Sequence, residues 1–217
     1  MGNLRQLLAY EIGRHMLINR LRGFTLIELL VAMAIFGILA ALSLPSFGIW
    51  MANTRIRTVA EALQNDLRKA QNEAVRRNRQ VAFVLTNSTP TAGSAIVANA
   101  TARNWAIYRV PLLGGSDTTG NESFIQANVQ PNNSDTTVTG SVAAICFNSA
   151  GRLVTQNTAI PDAGGTTCNA PTTTAPITYD IQNATADRRL RVLLYLGGQI
   201  RMCDPNKSIS TQPDGCP

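Results

Sequence analysis

The 24 residues from Phe24 to Phe47 form an apolar run broken by one formal charge, the carboxylate of Glu28. About 20 apolar residues in a helix cross the hydrocarbon core of a bilayer, so the run reads as a single membrane-crossing helix. Few other structures are open to it, because backbone polar groups in hydrocarbon must be satisfied within the segment. Arg14, Arg20 and Arg22 precede it. Such a bias keeps the N-terminus cytoplasmic and sends residues 48–217 across. A carboxylate within the run costs about 2.5–3.5 kcal/mol on insertion scales, which marks Glu28 as functional and in need of a cationic partner. Two plainer readings compete. One is a secretory signal peptide cut near Ala41-Leu42-Ser43, and the other is an ordinary single-pass anchor. Neither accounts for Gly23-Phe24 at the boundary together with a carboxylate at the fifth apolar position.

The stretch Gly23-Phe24-Thr25-Leu26-Ile27-Glu28 resembles the processing site of type IV prepilins and type II secretion pseudopilins. The resemblance implies cleavage after Gly23 by a prepilin peptidase and N-methylation of Phe24. It also implies that Glu28 pairs with the Phe24 amine of a neighbouring subunit during assembly. On this reading the chain divides into a leader (1–23), a hydrophobic assembly helix (24–47), an amphipathic helix (48–79) and a β-rich head (80–217). A start at Met16 would shorten the leader to eight residues and leave His15 untranslated.

The leader changes the meaning of the charge. Of the formal +6, half lies in residues 1–23, which hold four arginines and one glutamate. The basic balance is therefore no nucleic-acid signature. The head has roughly 140 residues, enough for one modest core. Its four cysteines, Cys146, Cys168, Cys203 and Cys216, form an even set in an oxidising compartment, and three connectivities are open. We favour Cys203–Cys216, which encloses a short Pro/Asn/Asp/Gly tail, leaving Cys146–Cys168.

Beyond Pro45, apolar residues recur at Ile49, Ile56, Val59, Leu63, Leu67, Ala70 and Ala74, mostly three or four apart. That is the period of an amphipathic helix. Arg55, Arg57, Gln64, Asp66, Arg68, Lys69 and Glu73 are assigned to its polar face, and Arg76, Arg77 and Arg79 to its dipole-favoured end. Pro45 removes one backbone bond and is expected to kink or locally melt the helix. After Asn78 the pattern predicts strands at 80–86, 104–110, 123–129, 142–147, 151–155, 177–182, 189–196 and 199–203. Hairpins are expected at 147–154 and 190–203, the second with Gly197-Gly198 as a two-residue primed turn. Polar stretches at 86–103, 114–122, 130–141 and 156–176 are expected to be exposed loops.

One long N-terminal helix followed by an antiparallel head is the α+β pilin-like fold that the resemblance implies. The Phe-Asn-Ser-Ala-Gly-Arg stretch at 147–152 and the Gly-Gly-Gln-Ile-Arg-Met-Cys-Asp stretch at 197–204 are similar to type II secretion protein H and the FimT/FimU-type minor pilins. Partners implied are the prepilin peptidase, other major and minor pilins in a filament, and the inner membrane, with the head periplasmic before export to a filament.

No catalytic constellation is legible. The single histidine is His15, and no P-loop, Gly-x-Ser-x-Gly or metal-ligand cluster occurs, so neither enzyme activity nor a cofactor is expected. Some FimT-type relatives bind DNA through a C-terminal Gly-Arg-x-Arg. The matching stretch here is Gly198-Gln199-Ile200-Arg201, with one arginine replaced. A DNA contact through Arg201, Arg188, Arg189 and Arg191 is therefore disfavoured, since each lost cation removes a phosphate contact. Trp105, Tyr108 and Tyr195 could stack on bases, but at strand spacing they read as core. The leading reading is a minor pilin of a type IV pilus. The alternatives are a type II secretion pseudopilin of the protein H type and a DNA-binding minor pilin.

Overall fold

The computed structural model describes residues 23–111, 123–131, 134–171 and 175–217. The residues before Gly23 and the 114–122 stretch lie outside them. By internal contacts the chain forms two compact units, one ending at Leu44 and one starting at Pro45.

Helix α1 runs Leu26–Arg77, with helical backbone through Pro45. In the first unit it is apolar apart from Glu28, and its large apolar side chains from Leu26 to Leu42 are exposed. A helix apolar on every face needs a surrounding apolar medium or partner. No single helix among the described residues is long and apolar enough to cross a membrane; the segments Leu26–Leu42 and Ser46–Arg77 meet that test only together.

In the second unit α1 packs on the head. Ala52, Ile56, Val59, Ala60, Leu63, Leu67, Ala70 and Ala74 are buried, as the three-to-four spacing predicts. Ile49 departs from that face and is 40% exposed, because burial of the helix starts only at Ala52. The C-terminus closes in a Schellman motif. Asn78 takes a left-handed φ of 51°, its N–H donates to Val75 O (3.2 Å), and the Arg79 N–H donates to Ala74 O (3.1 Å). Arg76 and Arg77 do more than complement the dipole. Both pair with Glu73, at 2.7 and 2.6 Å, and hold its carboxyl below the usual glutamate range.

The strands are β1 Val81–Thr86, β2 Thr101–Ala102, β3 Asn104–Arg109, β4 Phe124–Asn128, β5 Thr136–Gly140, β6 Ala144–Phe147, β7 Leu153–Val154, β8 Gln156–Ile160, β9 Thr166–Cys168, β10 Ile177–Asn183, β11 Leu190–Leu194, β12 Ile200–Ser208 and β13 Gly215–Cys216. They form a five-stranded sheet (β4-β3-β1-β6-β7), a six-stranded sheet (β13-β12-β11-β10-β5-β2) and a two-stranded ribbon (β8-β9). The pairing is antiparallel except between β12 and β13, which run parallel where the tail folds back.

Strand β1 is buried along its whole length. Its alternation splits two cores. Val81, Phe83 and Leu85 join α1, Trp105, Ile107, Tyr179 and Val192 in the main core. Ala82 and Val84 face the other way, with Ala106, Tyr108 and Cys146, and are covered by Ile96, Ile160, Ala163 and Cys168. Two expectations are corrected here. The 156–176 stretch is no open loop: β8 and β9 pair within it, and the Cys146–Cys168 disulfide joins β9 to the sheet, Cα to Cα 5.5 Å. The 130–141 stretch holds β5, with Val138 opposite Ile181 of β10. Both were hidden by composition. Thr-rich runs carry too few apolar residues to show alternation, yet β-branched threonine suits a pleated surface.

Candidate functional site

The segment that carries the expected processing site is built by a helix start. Gly23 lies before α1 in irregular chain, and a side chain added there would meet nothing within 4 Å. Phe24 is 83% exposed. Thr25 is the cap: its Oγ1 accepts the Glu28 N–H at 3.2 Å, and its carbonyl accepts the Leu29 N–H at 3.1 Å. Thr25-x-x-Glu28 thus has the spacing of a capping box. That pattern was legible in the sequence and supplies Glu28 with a second, local role. The carboxylate sits in the first turn, where the helix dipole favours a negative charge. It also lies four residues, about one helical turn, from Phe24.

The head contributes a different arrangement. The hairpin β6–β7 turns through Ser149-Ala150-Gly151, and β11–β12 through Leu196-Gly197-Gly198. In each, an i→i+3 bond closes the turn, Gly151 N–H to Asn148 O (2.9 Å) and Gly198 N–H to Tyr195 O (2.8 Å). Each ends on a left-handed glycine, φ 73° at Gly151 and 86° at Gly198. These are three-residue loops. The expected Gly197-Gly198 primed turn is therefore corrected: a primed turn needs a positive φ at its first central residue, and Gly197 has none.

The two turns meet on the helix. Gln71 Nε2 donates to Gly151 O (2.8 Å) and to Gly198 O (3.0 Å), using both amide protons. The Leu153 N–H donates to Leu196 O (3.1 Å). The two stretches singled out by family resemblance are thus one structural unit latched by a helix glutamine that sequence reasoning missed.

Asp66 was misplaced as well. It falls seven residues after Val59 and four before Ala70, inside the apolar stripe, and it is buried. Its carboxylate accepts from Trp105 Nε1 (2.8 Å), Gln126 Nε2 (3.0 Å) and Asn128 Nδ2 (3.3 Å). Lys69 Nζ donates to Gln126 Oε1 behind them. Removing the acceptor leaves these donors, the buried indole N–H above all, without a partner. Asp66→Ala is expected to cost about 2–4 kcal/mol, read as a lower urea midpoint with an unchanged slope and a red-shifted Trp105 emission. Unchanged stability would show that water replaces the carboxylate.

Two of the four arginines named as DNA contacts are engaged within the head. Arg191 is bound two-pronged by Asp180, at 2.6 and 2.8 Å, across the β10–β11 register. That hydrogen-bonded pairing raises the guanidinium's pKa. Arg201 donates to Pro213 O (3.4 Å) and Gly215 O (3.3 Å), bracing the tail. Arg188 and Arg189 are exposed. The tail itself is closed by Cys203–Cys216, Cα to Cα 5.1 Å, so both favoured disulfides are present. Trp105 and Tyr108 are buried in the cores and Tyr195 is half-buried. Burial pushes the Tyr108 phenol up to about 12 and raises Tyr179 further, so neither titrates near neutrality. Among the described residues no three of His, Cys, Asp and Glu gather where they could hold a metal ion.

Comparison with known proteins agrees with the residues. The family model described as type II transport protein GspH matches residues 59–198, and the prokaryotic N-terminal methylation motif matches residues 18–44. The crystal structure of the Pseudomonas aeruginosa (strain PAO1) type IV minor pilin FimU is 16% identical, with a TM-score of 0.47, covering 73% of this chain and 98% of that one. The minor pseudopilin EpsH from the Type 2 Secretion System of Vibrio cholerae is 11% identical, with a TM-score of 0.44, covering 70% and 98%. No curated protein matches.

Proposed function

This chain belongs to the type II transport protein GspH family, and on that premise we propose that it works as a minor subunit of a type IV pilus. It is processed after Gly23 by a prepilin peptidase and methylated at Phe24. It waits in the inner membrane with its head in the periplasm, and is then lifted into a filament. The observation that carries this reading is the match to the methylation motif at residues 18–44, together with a helix from Leu26 whose large apolar side chains are exposed up to Leu42. Stacked copies or neighbouring pilins would bury that surface at about 25 cal/mol per Å². Glu28 would set axial register by pairing with a neighbour's terminal amine. Pro45, which lacks a backbone N–H, would let the helix bend. Contact with DNA is disfavoured, because Arg191 and Arg201 are spent on Asp180 and the tail.

A second reading has its own support. The matching family model carries a type II transport description, which favours a pseudopilin of a secretion machine. The two predict different locations. N-terminal sequencing and intact mass should find a chain starting at N-methyl-Phe24, in membranes and in sheared surface filaments. The same start confined to membranes would favour the secretion reading. A start near Leu44 would mean an ordinary signal peptide and overturn both.

A further inference from the structure

We infer that the Phe47–Trp50 ring pair is a bilayer-interface anchor, seating the start of the head at the phospholipid headgroups before assembly; this rests on the membrane-anchored reading above. The rings stack at 5.7 Å between centroids, tilted by 32°. Phe47 is 57% exposed and Trp50 62%. Ile49 and Met51 between and beside them are exposed as well, at 40% and 39%. At 100° per residue Trp50, Phe47 and Met51 fall within about 100° of one another and Ile49 lies about 100° further round, so the exposed apolar side chains span about 200°, wider than a single packing stripe. A partner helix covers a stripe, whereas a bilayer surrounds the whole circumference.

The sequence beyond Trp50 changes at once. Ala52 is buried against the head, Asn53 donates to Asp187 Oδ1 at 2.6 Å, and Arg55 and Arg57 are exposed. Trp50 and Met51 are therefore the last exposed large apolar residues before packing begins at Ala52 and the exposed residues turn polar, and Trp50 is the more exposed of the two. The spacing also fits. From Phe24 to Trp50 is 26 residues, roughly 39 Å along a helix, against a hydrocarbon core of about 30 Å and a full bilayer of about 40–45 Å. Trp50 then falls in the headgroup band, where tryptophan is enriched because one end of the indole is apolar and the other wet. Lifting the subunit out of the membrane must pull both rings from that band, so the anchor opposes extraction and fixes the depth from which it starts.

The chain has two tryptophans, and Trp105 is fully buried in the head, so Trp50 fluorescence can be isolated. The full chain is reconstituted into phosphatidylethanolamine/phosphatidylglycerol vesicles carrying brominated acyl chains, labelled either near the headgroup or near the chain end. The expected result is stronger quenching by the shallow label, lost in Trp50→Phe, with both proteins floating with the vesicles. Flotation with a water-like, unquenched Trp50 overturns the anchor while leaving the membrane reading intact. Stronger quenching by the deep label overturns it too, since the ring would then sit in hydrocarbon. A blue-shifted but unquenched Trp50 would show a second copy covering the ring instead, and also overturns it. Failure to float with the vesicles overturns the membrane reading itself.

Discussion

Gly198→Ala is expected to destabilise the head by about 3–5 kcal/mol, as much as a severe core truncation. Two costs combine. A φ of 86° strains any residue with a Cβ, at about 1–3 kcal/mol. The added methyl would also overlap the Gly151 carbonyl oxygen and the Gln71 amide. The carbonyl belongs to the backbone of the neighbouring turn, so the two hairpins must separate. Gln71 then loses one or both of its bonds, at about 1 kcal/mol each. Urea unfolding of the full chain in detergent measures the sum. Gly197→Ala is the internal control: nothing lies within 4 Å of its added Cβ and its φ is not positive. It should be neutral, or stabilise by about 0.4–1 kcal/mol by restricting the unfolded chain. Equal effects at the two neighbours would disprove the three-residue turn geometry.

Glu28→Ala should leave cleavage after Gly23 normal and still deplete the protein from filaments by about a hundredfold. That ratio corresponds to roughly 3 kcal/mol, the cost of stranding one partner of a buried ion pair. The structure adds a complication and a way to resolve it. Glu28 also stands at the third position of a helix capped by Thr25, so alanine removes local helix support worth about 1 kcal/mol. Glutamine keeps a capping-box side chain and drops the charge. If pairing with a neighbour's amine is what matters, Glu28→Gln fails in filaments as badly as Glu28→Ala. Recovery of filament content in Glu28→Gln would assign the residue to capping instead. Quantifying each variant in sheared filaments against total membrane protein separates the two, since neither change touches the scissile bond.

The arginines show how location decides chemistry. Arg188, Arg189, Arg191 and Arg201 look like one basic group along the sequence. In the fold Arg191 faces Asp180 across two strands, and Arg201 braces the tail closed by Cys203–Cys216. A cation bound by a carboxylate contributes little to phosphate attraction.

Several elements follow from the sequence alone, because their causes are local. The apolar run from Phe24 and the carboxylate at Glu28 need no tertiary partner to be recognised. The helix face Ile56–Val59–Leu63–Leu67–Ala70–Ala74 is written in its spacing, and it is buried as spaced. The main strands and both hairpins are marked by alternation and by glycines between apolar runs. The even cysteine count and a tail that needs closing favour the two disulfides, but the choice among three connectivities is made by the fold. Tertiary structure decided what depends on residues far apart in the chain. Asp66 reads as a polar-face residue until Trp105, Gln126 and Asn128 arrive from 39 to 62 residues away. Strands β5, β8 and β9 lack an apolar signature, and form because β10 and the second face of the five-stranded sheet need partners. Nothing in the sequence marks Gln71, on whose amide two turns 80 and 127 residues along the chain close. Local periodicity fixes which backbone forms; only the folded packing fixes which polar groups lose water and must find one another.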